Sequence, residues 1–90
     1  MPRTEIKVVI VNRLGLHARP AMSFVDLAST FESDVRVSKG DTEVDGKSIM
    51  QMMMLAASQG SELLIIAEGS DAETACKALK ELVDAGFDED

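Results

Sequence analysis

The apolar period of this chain switches between two residues and about three and a half, and the order of the switches leaves few folds open. From Glu5 to Val11, Ile6, Val8 and Ile10 alternate with Glu5 and Lys7, as in a strand with one buried face. From Ala18 to Phe31 the spacing lengthens. Ala21, Phe24, Val25, Ala28 and Phe31 form the apolar stripe of a helix, leaving Asp26, Ser29, Thr30 and Glu32 outward. Asp34-Val35-Arg36-Val37-Ser38 alternates again. Lys39-Gly40-Asp41 reads as a turn, Thr42-Glu43-Val44 as a short returning strand, and Asp45-Gly46-Lys47 as a break. A second helix is predicted from Ser48 to Ala57, and the most apolar strand, expected at the centre of the sheet, from Glu62 to Ala67. Ala72, Ala75, Cys76, Leu79, Leu82 and Val83 mark a third helix. Ser70 and Glu73 have capping-box spacing at its start, and Gly86 suits its end. The acidic tail Phe87–Asp90 is expected to fray, with Phe87 free to pack back.

The order is β-α-β-β-α-β-α. Two strand–helix–strand units meet through a hairpin, and right-handed crossovers put both helices on one side of the sheet. The expected class is α+β, an open-faced sandwich: a four-stranded, mainly antiparallel sheet with three helices on one face. The other face is left to Glu5, Lys7, Arg36 and Glu43. Ninety residues suit a single domain, spanning 1–90.

Charge narrows the partners. A formal net charge of −7 argues against nucleic acid or an anionic membrane surface and suits proteins with basic patches. Cys76 is the single cysteine, so no internal disulfide is possible, and its place on an apolar stripe predicts burial. One histidine and one distant cysteine make no metal set, and no sequence feature calls for a cofactor. No apolar run approaches membrane-spanning length, so a cytoplasmic monomer is expected.

Chemistry concentrates in Gly15-Leu16-His17-Ala18-Arg19-Pro20-Ala21, which holds the only histidine. It lies at a strand-to-helix junction. Pro20 fits a first helical turn, where a missing N–H costs little. A helix start presents free N–H groups and the positive end of the macrodipole, which favours an anion. Arg19 adds a permanent cation with forked donors that match phosphate oxygens. Neutral imidazole is a nucleophile. His17 is therefore a candidate phosphoryl acceptor, with no carboxylate adjoining it in sequence to activate water.

The second helix is unusual. Between Ile49 and Ala57 the one polar residue is Gln51, so either the helix is deeply buried or part of its methionine surface is exposed for contact. Ser48 suits its cap. If the first two helices begin side by side, His17, Arg19 and Ser48 share one surface with Ile49, Met50 and Met53.

Gly15–Ala21 resembles the active-site signature of the HPr family, the histidine phosphocarriers of the bacterial phosphoenolpyruvate-dependent phosphotransferase system. Lys47-Ser48-Ile49-Met50 is similar to that family's second signature, and the element order matches along essentially the whole chain. The resemblance implies a carrier rather than an enzyme. His17 would accept a phosphoryl group on Nδ1 from enzyme I and pass it to a histidine of an enzyme IIA protein, with Ala18 and Arg19 binding the phosphate. Ser48 would be the site of HPr kinase/phosphorylase, and Met22, Ile49, Met50 and Met53 would form the docking surface. Leu14 departs from the small polar residue common there. The retained His17 argues against the catabolite-repression variants that lack it. Ala85–Asp90, with Leu14-Gly15 and Met22, is closer to the nitrogen-branch NPr proteins. The alternative reading is a regulatory binding module whose phosphorylation state sets its partner.

Overall fold

The computed structural model describes residues 2–89. Strands β1 (Arg3–Val9), β2 (Asp34–Lys39), β3 (Thr42–Asp45) and β4 (Glu62–Glu68) alternate with helices α1 (Ala18–Ala28), α2 (Ile49–Met54) and α3 (Ala72–Asp84) in the predicted order. The sheet runs β1-β4-β2-β3, and every neighbouring pair is antiparallel. The apolar β4 is an interior strand, as its sequence demands.

One core lies between the sheet's inner face and the helices. Val8, Val35, Val37, Val44, Leu63, Ile65 and Ala67 supply the sheet side; Phe24, Ala28, Met52, Cys76, Leu79 and Val83 supply the helical side. The alternation seen in sequence is thus the alternation of burial. The outer face carries exposed ion pairs, Arg3 with Glu5 and Glu68, Lys7 with Glu62, and Arg36 with Glu43. Ile66 is buried on that side, opposite Glu5 and Arg36 in register.

Element ends depart from the sequence reading for identifiable reasons. Helix α1 stops at Ala28 rather than Phe31, because Thr30 and Phe31 donate to carbonyls three residues back, at Leu27 and Ala28. Helix α2 stops at Met54 rather than Ala57: Ala56 takes a left-handed conformation (φ 49°), which frees the Ala57 carbonyl to accept from Leu16. Strand β1 is shifted to Arg3–Val9, although Ile10 still exchanges bonds with Ser61 and Gly60. No capping box forms at α3. Asp71 is the N-cap residue, and its carboxylate instead accepts from the Glu32 and Ser33 amides and the Ser33 hydroxyl, tying α3 to the entry of β2.

Helices α1 and α2 pack side by side in opposite directions, which corrects the expectation that their starts adjoin. Lys47, just before α2, donates to the Phe31 carbonyl beyond the end of α1, while Ala57, just after α2, accepts from Leu16 before α1 begins. Sheet topology dictates this. Helix α1 leaves the sheet end where β1 stops and β4 starts, and α2 returns to that same end. His17 and Ser48 therefore stand toward opposite ends of the helix pair.

The tail does not fray within the described residues; Asp90 lies outside them. Gly86 follows α3 in the left-handed conformation (φ 63°), and Phe87 and Asp88 continue in it (φ 57° and 61°) as a short 3-10 turn. Each of the two non-glycine residues gives up about 1–2 kcal/mol in that region. Burial of the Phe87 ring, worth about 1.5–3 kcal/mol, offsets much of this.

Candidate functional site

The loop before α1 is fixed at three points. The Asn12 carbonyl accepts from the Gly15 amide at 3.2 Å, and the Asn12 Nδ2 donates to the Gly15 carbonyl at 2.7 Å, so one residue closes the turn twice. Gly15 has φ +70°, and a Cβ there would stand 2.5 Å from the Ala57 carbonyl oxygen, so the position requires glycine on both counts. The Leu16 amide donates to Ala57 at 2.8 Å, and the Leu16 side chain is buried. His17 follows this anchor directly. It is the N-cap residue of α1, in extended conformation, and its carbonyl accepts the first helical bond, from Ala21. Pro20 fills the third helical position and is buried.

The imidazole is held from the opposite end of the chain. His17 Nε2 lies 2.8 Å from Glu89 Oε1, with its side chain 39% exposed. The same Glu89 oxygen accepts from Asn12 Nδ2 at 3.0 Å. The His17 bond above all, with the Asn12 bond and the charges of His17 and Arg19, holds the Glu89 carboxyl below the usual carboxylate range; partial desolvation opposes this. The imidazole makes no capping bond to the helix, so Nδ1 is not engaged by the first-turn amides. The sequence pointed to neither Glu89 nor Asn12. Contacts across 72 and 77 residues have no local spacing to betray them. The one hint was Gly86 followed by an apolar Phe87, a sign that the chain reverses and packs back.

The other sequence candidates fall as follows. Arg19 is exposed in the first turn of α1, close enough for its charge to act on Glu89. Ala18 is exposed at the first helical position. Ser48 caps α2, its hydroxyl accepting from the Gln51 amide at 3.3 Å. In α2, Met52 is buried while Ile49, Met50, Met53 and Met54 are exposed, Met50 by 79%. The exposed alternative for this helix therefore holds. Met22 on α1 and Leu14 in the loop add to the exposed apolar surface. Cys76 is buried, as its stripe required, and burial pushes its thiol up. Among the described residues no His, Cys, Asp or Glu group has metal-binding geometry, and no helix is long and apolar enough to cross a membrane.

A part-exposed imidazole, its Nδ1 without a hydrogen bond among the described residues, with a guanidinium nearby and a helix start beneath it, suits transient exchange of an anionic group between proteins. Comparisons with known proteins agree. The family profile described as "PTS HPr component phosphorylation site" matches residues 4–85. The HPr phosphocarrier of Pseudomonas aeruginosa is 48% identical, covering 99% of this chain and 98% of that protein. The NPr phosphocarrier of Proteus mirabilis is 45% identical, covering 93% and 94%. The crystal structure of HPr-C-His from Thermoanaerobacter tengcongensis superposes with a TM-score of 0.93 at 46% identity, covering 97% of this chain and 98% of that one. These similarities span nearly all of both partners, and the fold coincides with theirs. The chain belongs to the HPr family of phosphotransferase-system phosphocarrier proteins, carriers of a phosphoryl group rather than enzymes.

Proposed function

We propose that His17 is the residue that carries the phosphoryl group. The observation that supports this most is its placement: a nucleophilic ring at the N-cap of α1, its Nδ1 without a hydrogen bond among the described residues, where the helix start and Arg19 favour an incoming anion. In this reading phospho-enzyme I is the donor and an enzyme IIA histidine the acceptor. Ala18 and Arg19 hold the phosphate. Met22, Ile49, Met50 and Met53 form the docking surface on the two antiparallel helices. Ser48 is a regulatory phosphorylation site; a dianion there stands at the far end of α1 from His17 and acts on docking rather than on the imidazole itself. The whole chain works as one phosphocarrier domain in the cytoplasm.

The test is phosphorus NMR after incubation with phosphoenolpyruvate, Mg²⁺ and cognate enzyme I. An acid-labile phosphohistidine signal is expected in the wild type and none in folded His17→Ala. A His17→Ala protein that still acquires the signal would refute the assignment. Addition of an enzyme IIA separates the carrier from a regulatory module: a carrier loses its label to the acceptor, whereas a module changes partner affinity and keeps it.

A further inference from the structure

Glu89 stands where a directing group for the imidazole should stand. A carboxylate can only accept a hydrogen bond, so the 2.8 Å contact places the ring proton on His17 Nε2 and leaves the lone pair on Nδ1. The contact also covers Nε2 against an incoming phosphoryl group. Glu89 is itself held. Asn12, only 2% exposed, uses one Nδ2 for both Gly15 O and Glu89 Oε1, which links the loop before α1 to the tail. The tail reaches this point through three successive left-handed residues and the buried Phe87 ring, so the carboxylate is delivered by a built structure and not by a loose end. Among the described residues Asn12 Oδ1 is buried without a partner, while its Nδ2 makes both bonds, so the side chain is oriented for its donor.

Resting on the carrier reading of His17, we infer that Glu89, fixed by Asn12, is a positioning residue that directs phosphorylation to Nδ1 and stabilises the loaded ring. The step needs no proton transfer. The Nδ1 lone pair attacks phosphorus, the donor's bond to phosphorus breaks, and its leaving atom keeps the pair. The ring retains its Nε2 proton and becomes a cation beside the Glu89 carboxylate. Arg19, close enough for its charge to act on Glu89, offsets the phosphoryl charge. The arrangement parallels a base oriented by an acid in a hydrolase triad, with the ring as nucleophile instead of base.

The test uses the whole protein and potassium phosphoramidate, a small donor that phosphorylates imidazole without any partner protein. Long-range proton–nitrogen correlation spectra report which ring nitrogen carries phosphorus. In the wild type the adduct is expected on Nδ1. In Glu89→Ala a substantial share should move to Nε2, and Nδ1 loading at saturating phospho-enzyme I should slow by about ten- to a hundredfold with little change in KM, the size of one lost charge-assisted hydrogen bond. Glu89→Gln keeps the contact's length and the tail's packing but removes the charge. If Glu89 only tethers the tail, Glu89→Gln behaves as wild type; by the present reasoning it slows loading nearly as much as Glu89→Ala. Exclusive Nδ1 adduct at an unchanged rate in both variants overturns the inference. Failure of the wild type to be loaded by enzyme I overturns the carrier reading instead, and leaves the phosphoramidate result to stand by itself.

Discussion

Gly15→Ala offers the sharpest test of how the loop before His17 is held. Two costs add. A left-handed alanine is disfavoured by about 1–2 kcal/mol, of which the stiffer unfolded chain returns about 0.4–1 kcal/mol. The new methyl would also lie 2.5 Å from Ala57 O and 2.9 Å from the Ser58 Cα, both backbone atoms that cannot swing aside. Relieving that overlap costs about 1–3 kcal/mol of overpacking, and it strains the Leu16–Ala57 bond. The sum is about 2–4 kcal/mol. For a chain of 90 residues this lowers Tm by about 10–20 °C. Gly40→Ala is the control. Gly40 shares the positive φ (+58°), but a Cβ there meets no atom within 4 Å, so about 1 kcal/mol or less is expected. Urea unfolding of both variants, with m held constant, isolates the close approach as their difference. Gly15→Ala within about 0.5 kcal/mol of Gly40→Ala would refute the claim that Ala57 packs against the loop tightly enough to fix His17.

Leu79→Ala removes a fully buried side chain of α3 and should cost about 2–5 kcal/mol by urea unfolding, with loading impaired only as far as the folded fraction falls. Ser48→Ala should lose about 1 kcal/mol of capping energy, whereas Ser48→Asp keeps a capping oxygen, holds its stability, and is expected to slow loading by enzyme I; unchanged loading in the aspartate variant removes Ser48 from the docking surface. Met50→Ser should leave the urea midpoint within experimental error and weaken binding to enzyme I in titration calorimetry, since its side chain faces solvent. Asp71 is held below the usual carboxylate range, first by the Ser33 hydroxyl bond and then by the Glu32 amide. A depressed folded value stabilises the fold above the ordinary carboxylate pKa of about 3.9, and that contribution disappears as pH falls through the depressed value. The urea midpoint of Asp71→Asn should therefore trail wild type near neutrality and converge on it in strong acid. A gap that persists in acid would place the effect elsewhere.

Periodicity by itself determined the elements, their order and the buried face of the alternating strands and of α1 and α3, because a residue's side on a strand or helix is a local property of spacing. It placed Val8, Phe24, Val37 and Leu79 on inward faces, and every one is buried. The Gly15–Ala21 stretch likewise placed His17 at the start of α1, since capping, proline tolerance and the helix dipole are local effects. Element ends were less legible. Ala56 turns left-handed, and Asp71 abandons its own helix for residues 32 and 33, because those groups find better partners across the fold than along the chain. Only the tertiary structure decided that α1 and α2 run in opposite directions, which put Ser48 far from His17; that follows from which end of the sheet each crossover returns to. Only the tertiary structure brought Glu89 and Asn12 to the imidazole. A hydrogen bond needs two groups about 3 Å apart in space, and the sequence records only how far apart they stand along the chain.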